Sequence, residues 1–236
     1  MSMRIEKYYL FLILLVYLSP FIDAINGYVM LSNVSLQGTF GSIGQIFKGF
    51  MLLLAIFIVP SKYRIIIFIV MAYLVFIELI PVIFHQNIRS FMIGFAYLQK
   101  IVFSVSVVMI IYQSIHKIGE MEVIRIFRNG ALIYALILIF STLIGAGVST
   151  YPAGSFGSKG LFASGNGLSI YLGSMSLISI YFYKMEKNIF NLTFCWIILG
   201  ACVLVGTKAS IVFFSFSVLI LFFYGSLAIS LHTSLR

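Results

Sequence analysis

The chain reads as an all-α integral membrane protein: a helical bundle of about eight transmembrane helices with its N-terminus in the cytoplasm. Three observations predict this. Of 236 residues, 62% are hydrophobic and 9% charged, with a mean hydropathy of +1.14, whereas a soluble domain carries roughly 25% charged residues. The apolar residues are gathered into runs of about the 20 residues that a helix needs to cross a bilayer. The basic residues between those runs are distributed by side, which is the signature of membrane orientation.

The runs are 8–23, 43–59, 65–84, 91–112, 131–147, 166–183, 190–206 and 209–230. The first is read as an uncleaved span, since no small-x-small site follows it and further spans do. The second is the least marked, because it begins in the polar stretch Ser42-Ile43-Gly44-Gln45. No repeat, low-complexity segment or linker divides the chain, so residues 1–236 are expected to form one multi-span domain. With the N-terminus inside, the cytoplasmic segments hold Arg4, Lys7, Lys62, Arg64, Lys117, Arg125, Arg128, Lys184, Lys187 and Arg236. The external segments hold only Arg89, Lys159 and Lys208. This alternation places 113–130 and 184–189 inside and 148–163 outside. It also removes nucleic acid as an explanation of the +9 net charge, because the cations form no patch. Cys195 and Cys202 stand about 10 Å apart along one helix, too far for a disulfide, and read as small packing residues.

Ionisable residues within spans are costly unless paired or hydrated. Asp23 marks the outer end of the first span. Lys48 lies near the start of the second and is expected to snorkel to the surface. Glu78 and Lys100 lie deeper in the third and fourth, at similar depth, and are expected to pair. All lie in the outer half of the membrane, as an outward-facing polar chamber would require.

The loop 148–165 and the run after it carry the second set of polar features. Gly157-Ser158-Lys159-Gly160 can offer backbone N–H groups and a cation to an anion. Asn166 is the expected N-cap of the sixth helix, whose positive dipole end then faces outward. Gly167, Ser169, Gly173, Ser174 and Ser176 read first as a close-packing seam. Thr207 is the expected cap of the eighth helix. Lys208 follows in its first turn, where a cation is disfavoured unless an anion sits beside it. There is no phosphate loop of the Walker type, no Cys or His cluster with metal spacing, and no cofactor is expected.

At these residues the chain resembles the O-antigen polymerase and O-antigen ligase family, which includes the Wzy-type polymerases of surface polysaccharides. One segment is Gly160-Leu161-Phe162-Ala163-Ser164-Gly165-Asn166, followed by a small-residue-rich span. The other, some way on, is the 204–210 run Leu-Val-Gly-Thr-Lys-Ala-Ser. The chain departs from the family pattern at Gly165, where proline is common. It departs again at Thr207-Lys208-Ala209-Ser210, where many members have Thr-x-Ser-Arg. Members are also longer, with a late external loop bearing functional Arg and His residues. The chain is therefore expected to be an N-terminal fragment of such a protein.

The resemblance implies a membrane glycosyltransferase. It would polymerise polyprenyl-pyrophosphate-linked oligosaccharide repeat units into O-antigen or capsule on the outer face of the cytoplasmic (inner) membrane. Its partners would be the bilayer, the lipid-linked oligosaccharide, and the flippase and chain-length regulator of the same pathway. The residues expected to bind the lipid pyrophosphate or glycan are Lys159, Asn166, Thr207, Lys208, Arg89 and Lys100. The alternatives are a flippase or transporter for an anionic lipid-linked glycan, and a non-catalytic remnant.

Overall fold

The structure, a computed structural model, describes residues 3–32, 42–85, 88–151 and 157–233. Among them are eight helices and no strand: α1 (Met3–Ser32), α2 (Ile43–Ile58), α3 (Ser61–His85), α4 (Ile88–Ile118), α5 (Glu120–Leu143), α6 (Gly165–Glu186), α7 (Ile189–Val205) and α8 (Lys208–Thr233). Each apolar run has become a helix, and the protein is a multi-pass membrane protein. By length and composition α1, α3, α4 and α5 can each cross a bilayer, while α2, α7 and the Lys208–Phe223 stretch of α8 are shorter apolar segments.

Several helices overrun their apolar stretches. The segment 113–130, expected as a cytoplasmic loop, is helical on both sides of Gly119, which breaks the path with φ 104°. That positive φ is open to glycine at little cost. Polar residues extend the helices here because their side chains satisfy one another. Glu120 and Glu122 sit in the first turn of α5, where the dipole favours anions, and Arg125 bonds Glu122 at 2.9 Å.

The chain forms two compact units, Met1–Ile126 and Phe127–Arg236, and the division falls inside α5 rather than at a linker. In the first, α2 packs on α1 and α4, and α3 on α4. The core holds Phe11, Leu15, Met51, Ala55, Ile67, Leu98, Val102 and Ile110. Ser42 caps α2 by accepting from the Gln45 N–H at 3.4 Å, and Asn26 Oδ1 accepts the Gly44 N–H at 3.2 Å, which resolves the polar start of the second span. Only 6% of the apolar window of α3 is buried, so its wide hydrophobic face is a lipid face.

The expected Glu78–Lys100 pair does not form. Lys100 is exposed, with Nζ 4.8 Å from the Tyr97 ring centroid on its own helix. Glu78 presses on Gly94, where any Cβ would collide with its carboxylate. Gly94 and Lys100 are six residues apart on α4, about 9 Å along its axis and well round the helix from each other. The two residues therefore differ both in depth and in the face they occupy.

In the second unit α6 is the inner helix, packed by α7 and α8. Of the small residues expected to form a seam, Ser169, Gly173 and Ser176 are buried in one, whereas Gly167 is exposed with open space where a Cβ would lie. A Cβ at Gly173 would overlap the Phe213 ring, and Ser176 Oγ meets Ser217 Oγ at 3.1 Å. Cys195 and Cys202 are free and buried against α6; their thiols donate weakly to the Ser176 carbonyl at 3.9 Å and the Ser169 carbonyl at 3.7 Å.

Candidate functional site

The second unit has two polar ends. One gathers the C-termini of α5 and α7, the N-termini of α6 and α8, and the loop between α5 and α6. The Lys/Arg distribution assigns this loop end to the outer side.

The loop is docked on the helices. The Val148 N–H donates to the Gly160 carbonyl at 3.0 Å, Lys159 N–H to Val148 at 2.9 Å, and Thr150 N–H to Gly157 at 3.0 Å. Ser149 and Ser158 thereby form one antiparallel bridge. The last carbonyls of a helix have no partner within it. Here Leu204 accepts the Ser158 N–H at 2.7 Å and Val205 accepts the Thr150 hydroxyl at 2.6 Å. On the other side Thr142 Oγ1 lies 2.9 Å from Ser158 Oγ. Two glycines make the close approach possible. Gly157 (φ 82°) would put a Cβ 2.6 Å from the Val205 oxygen, and Gly160 (φ 59°) would put one 2.5 Å from Ser141 Oγ.

This geometry revises one expectation. The N–H groups of Ser158, Lys159 and Gly160 are engaged, the last with Ser158 Oγ at 3.2 Å. They are therefore not offered to an anion, because folding the loop onto α7 has used them. The Lys159 side chain is left half-buried beside the start of α6, with Nζ 3.4 Å from the Ala163 carbonyl.

A second revision concerns the cap of α6. The N-cap is Ser164, without a side-chain cap bond, and Asn166 lies inside the first turn with its side chain exposed. Gly165 is why the helix starts early. A Cβ there would lie 3.2 Å from Thr150 Cγ2 and 3.4 Å from Val205 Cγ1, so a glycine lets the first turn slide under the loop.

Thr207 caps α8 as expected: its Oγ1 accepts the Ser210 N–H at 3.1 Å. It is 2% exposed, and its hydroxyl donates to Ser169 Oγ at 2.7 Å. Its place is beneath the surface, holding the turn. Gly206, with φ 69°, ends α7, and Lys208 opens α8 fully in view. Lys159, Asn166, Thr207 and Lys208 thus belong to one end of one unit, with the backbone of Gly157 and Ser158 lying on the Leu204–Gly206 turn from which Lys208 emerges. Lys100 and Arg89 are on α4, in the first unit. The Arg89 side chain lies outside the described residues, as do residues 152–156.

The other end of the second unit holds a cluster that residue types alone did not reveal. Arg128, 5% exposed, donates through Nη1 to Asn191 Oδ1 at 2.8 Å and through Nη2 to Asn129 Oδ1 at 3.1 Å. Asn191 Nδ2 donates in turn to Glu186 Oε2 at 2.7 Å. The guanidinium lies 4.6 Å from the Phe182 centroid and 5.3 Å from that of Phe194. A planar cation with several fixed donors is suited to such burial. In sequence, Arg128 is one more inside charge, and nothing there brings Asn191 to it.

The loop end therefore presents two exposed or half-exposed lysines and the first turn of α6, on a rigid footing. Such an end can attract and orient an anion. Compared with known proteins, the chain matches no family model, no curated protein and no solved structure.

Proposed function

We propose that the chain is a membrane glycosyltransferase of the O-antigen polymerase and ligase type. In this reading it acts on lipid-linked oligosaccharides at the outer face of the cytoplasmic membrane, beside the flippase and chain-length regulator of its pathway. One observation carries the reading. The two segments that resemble the family, 160–166 and 204–210, are far apart in sequence and meet at the loop end: a Cβ at Gly165 would lie 3.4 Å from Val205 Cγ1, and Thr150, Ser158 and Ser169, which flank the first segment, bond Val205, Leu204 and Thr207 of the second.

The chemistry follows from the leaving group. A hydroxyl of the acceptor sugar attacks the anomeric carbon of the donor glycan. The new glycosidic C–O bond forms as the bond to the polyprenyl pyrophosphate breaks; the hydroxyl proton leaves to a base, and the pyrophosphate departs with the electron pair. Negative charge grows on the pyrophosphate oxygens in the transition state, and preorganised cations there lower the barrier. Lys159 and Lys208 are assigned that role, with the first turn of α6 adding its dipole and Asn166 a side-chain amide. Arg89 and Lys100, in the first unit, are further candidates from the sequence.

Deletion of the gene from its source cell should abolish long surface polysaccharide and leave lipid-linked single repeat units. The wild-type gene should restore the polymer, whereas Lys159→Ala and Lys208→Ala should not. Polymer of normal length in the deletion strain refutes the reading.

A further inference from the structure

Two buried hydroxyls connect the first turns of α6 and α8. The Ser210 N–H donates to Thr207 Oγ1 at 3.1 Å, the Thr207 hydroxyl to Ser169 Oγ at 2.7 Å, and the Ser169 hydroxyl to the Asn166 carbonyl at 2.9 Å. Each hydroxyl accepts once and donates once, so the direction of the relay is fixed. Ser169 and Thr207 are 0% and 2% exposed, and in a span no water replaces a lost partner. The relay begins in the first turn of α8, beside exposed Lys208, and ends on the backbone of exposed Asn166. Between the helices it runs through one short bond, Thr207 to Ser169.

We infer that Ser169 is a positioning residue: acting through Thr207, it fixes the spacing between Asn166 and Lys208. As a positioning role for substrate this rests on the function proposed above, and it adds to that reading a residue that no substrate atom touches. Serine is suited to the place for two reasons. Its oxygen must accept from Thr207 while its proton goes to a carbonyl of its own helix, which alanine cannot do. Its small size also lets α6 approach α8 closely. Threonine keeps the oxygen and the proton and adds one methyl group.

Two readouts separate this inference from the reading on which it rests. The first measures spacing alone. In a chain with both native cysteines replaced by alanine, Asn166→Cys and Lys208→Cys are cross-linked by a short bis-thiosulfonate in membranes. Ser169→Ala should lower the cross-linking rate roughly tenfold, the size expected from stranding a buried donor, and Ser169→Thr should keep it. An unchanged rate in Ser169→Ala overturns the inference. The second readout is polymer in cells at matched protein levels. Ser169→Ala and Thr207→Val should reduce it by similar factors, the double variant should be no worse than either single one, and Ser169→Thr should restore it. If Lys208→Ala abolishes polymer and Ser169→Ala leaves it intact, the positioning role is wrong. If neither lysine variant affects polymer while the cross-linking rate still falls, the spacing role stands and the proposed function fails.

Discussion

The two ends of the second unit use cations in opposite ways. At the end where α5 begins, Arg128 is buried, bonded to Asn191 and Asn129 and stacked against Phe182 and Phe194. At the loop end, Lys208 stands exposed in the first turn of a helix and Lys159 reaches only a carbonyl at 3.4 Å. A buried cation must be fully partnered to be tolerated, and once partnered it holds helices together. A solvated cation at a helix N-terminus gains little from the fold and is placed where an anion would be attracted. Burial and partners, rather than charge, separate the cation that builds the bundle from those left in solvent.

The sharpest way to break this contrast is to ask whether the two ends lie on opposite sides of the membrane. Single cysteines at Ala163 and Lys184, both exposed, in a background without Cys195 and Cys202, should react with an impermeant thiol reagent from outside and from inside respectively. Labelling of both from one side contradicts the orientation. Ser114 is a poor reporter for the inner side, because it is buried and donates to Ile110 at 2.7 Å. Next in size is Arg128→Met, which leaves the carbonyl oxygens of Asn129 and Asn191 without their donor. It should cost about 3 kcal/mol, read as a lower unfolding midpoint in detergent. Smaller is Gly157→Ala, which forces a Cβ into left-handed backbone and toward the Val205 oxygen. About 2 kcal/mol is expected, with faster proteolysis of the loop. Smallest are Lys159→Ala and Lys208→Ala, expected within about 0.5 kcal/mol of wild type although the proposed function predicts that both lower polymer. Destabilisation by either lysine variant comparable to that of Arg128→Met would erase the contrast.

Most of the fold was legible in the sequence, because a membrane helix is defined by a one-dimensional property, a run of apolar residues. What lay beyond the runs was not. Gly119 separates two helices in a segment whose charges looked like a loop, and α6 begins at Gly165 because the loop packs over it. For Glu78 and Lys100 neither the register of α3 on α4 nor the facing sides were readable, since a few residues of offset move a side chain along the helix and round it. At the loop end, residue types pointed to Lys159, Thr207 and Lys208, and the cap at Thr207 followed from ordinary helix chemistry. The engagement of the Gly157–Gly160 backbone and the meeting of Thr207 with Ser169 depend on three-dimensional proximity, for which sequence spacing gives no signal. The same is true of Arg128 and Asn191.

The contrast between the ends comes down to whether the loop end recognises pyrophosphate. The full chain in nanodiscs can be titrated with undecaprenyl pyrophosphate and, in parallel, with undecaprenol, which has the same tail and no charge. The wild-type chain should bind the pyrophosphate and show no saturable binding of the alcohol. The Lys159→Ala, Lys208→Ala double variant should bind the pyrophosphate at least about tenfold more weakly, the loss expected when two charge-assisted contacts are removed. Equal affinity of wild type and double variant for the pyrophosphate, or equal affinity of the wild type for both lipids, would contradict the role given to the loop end.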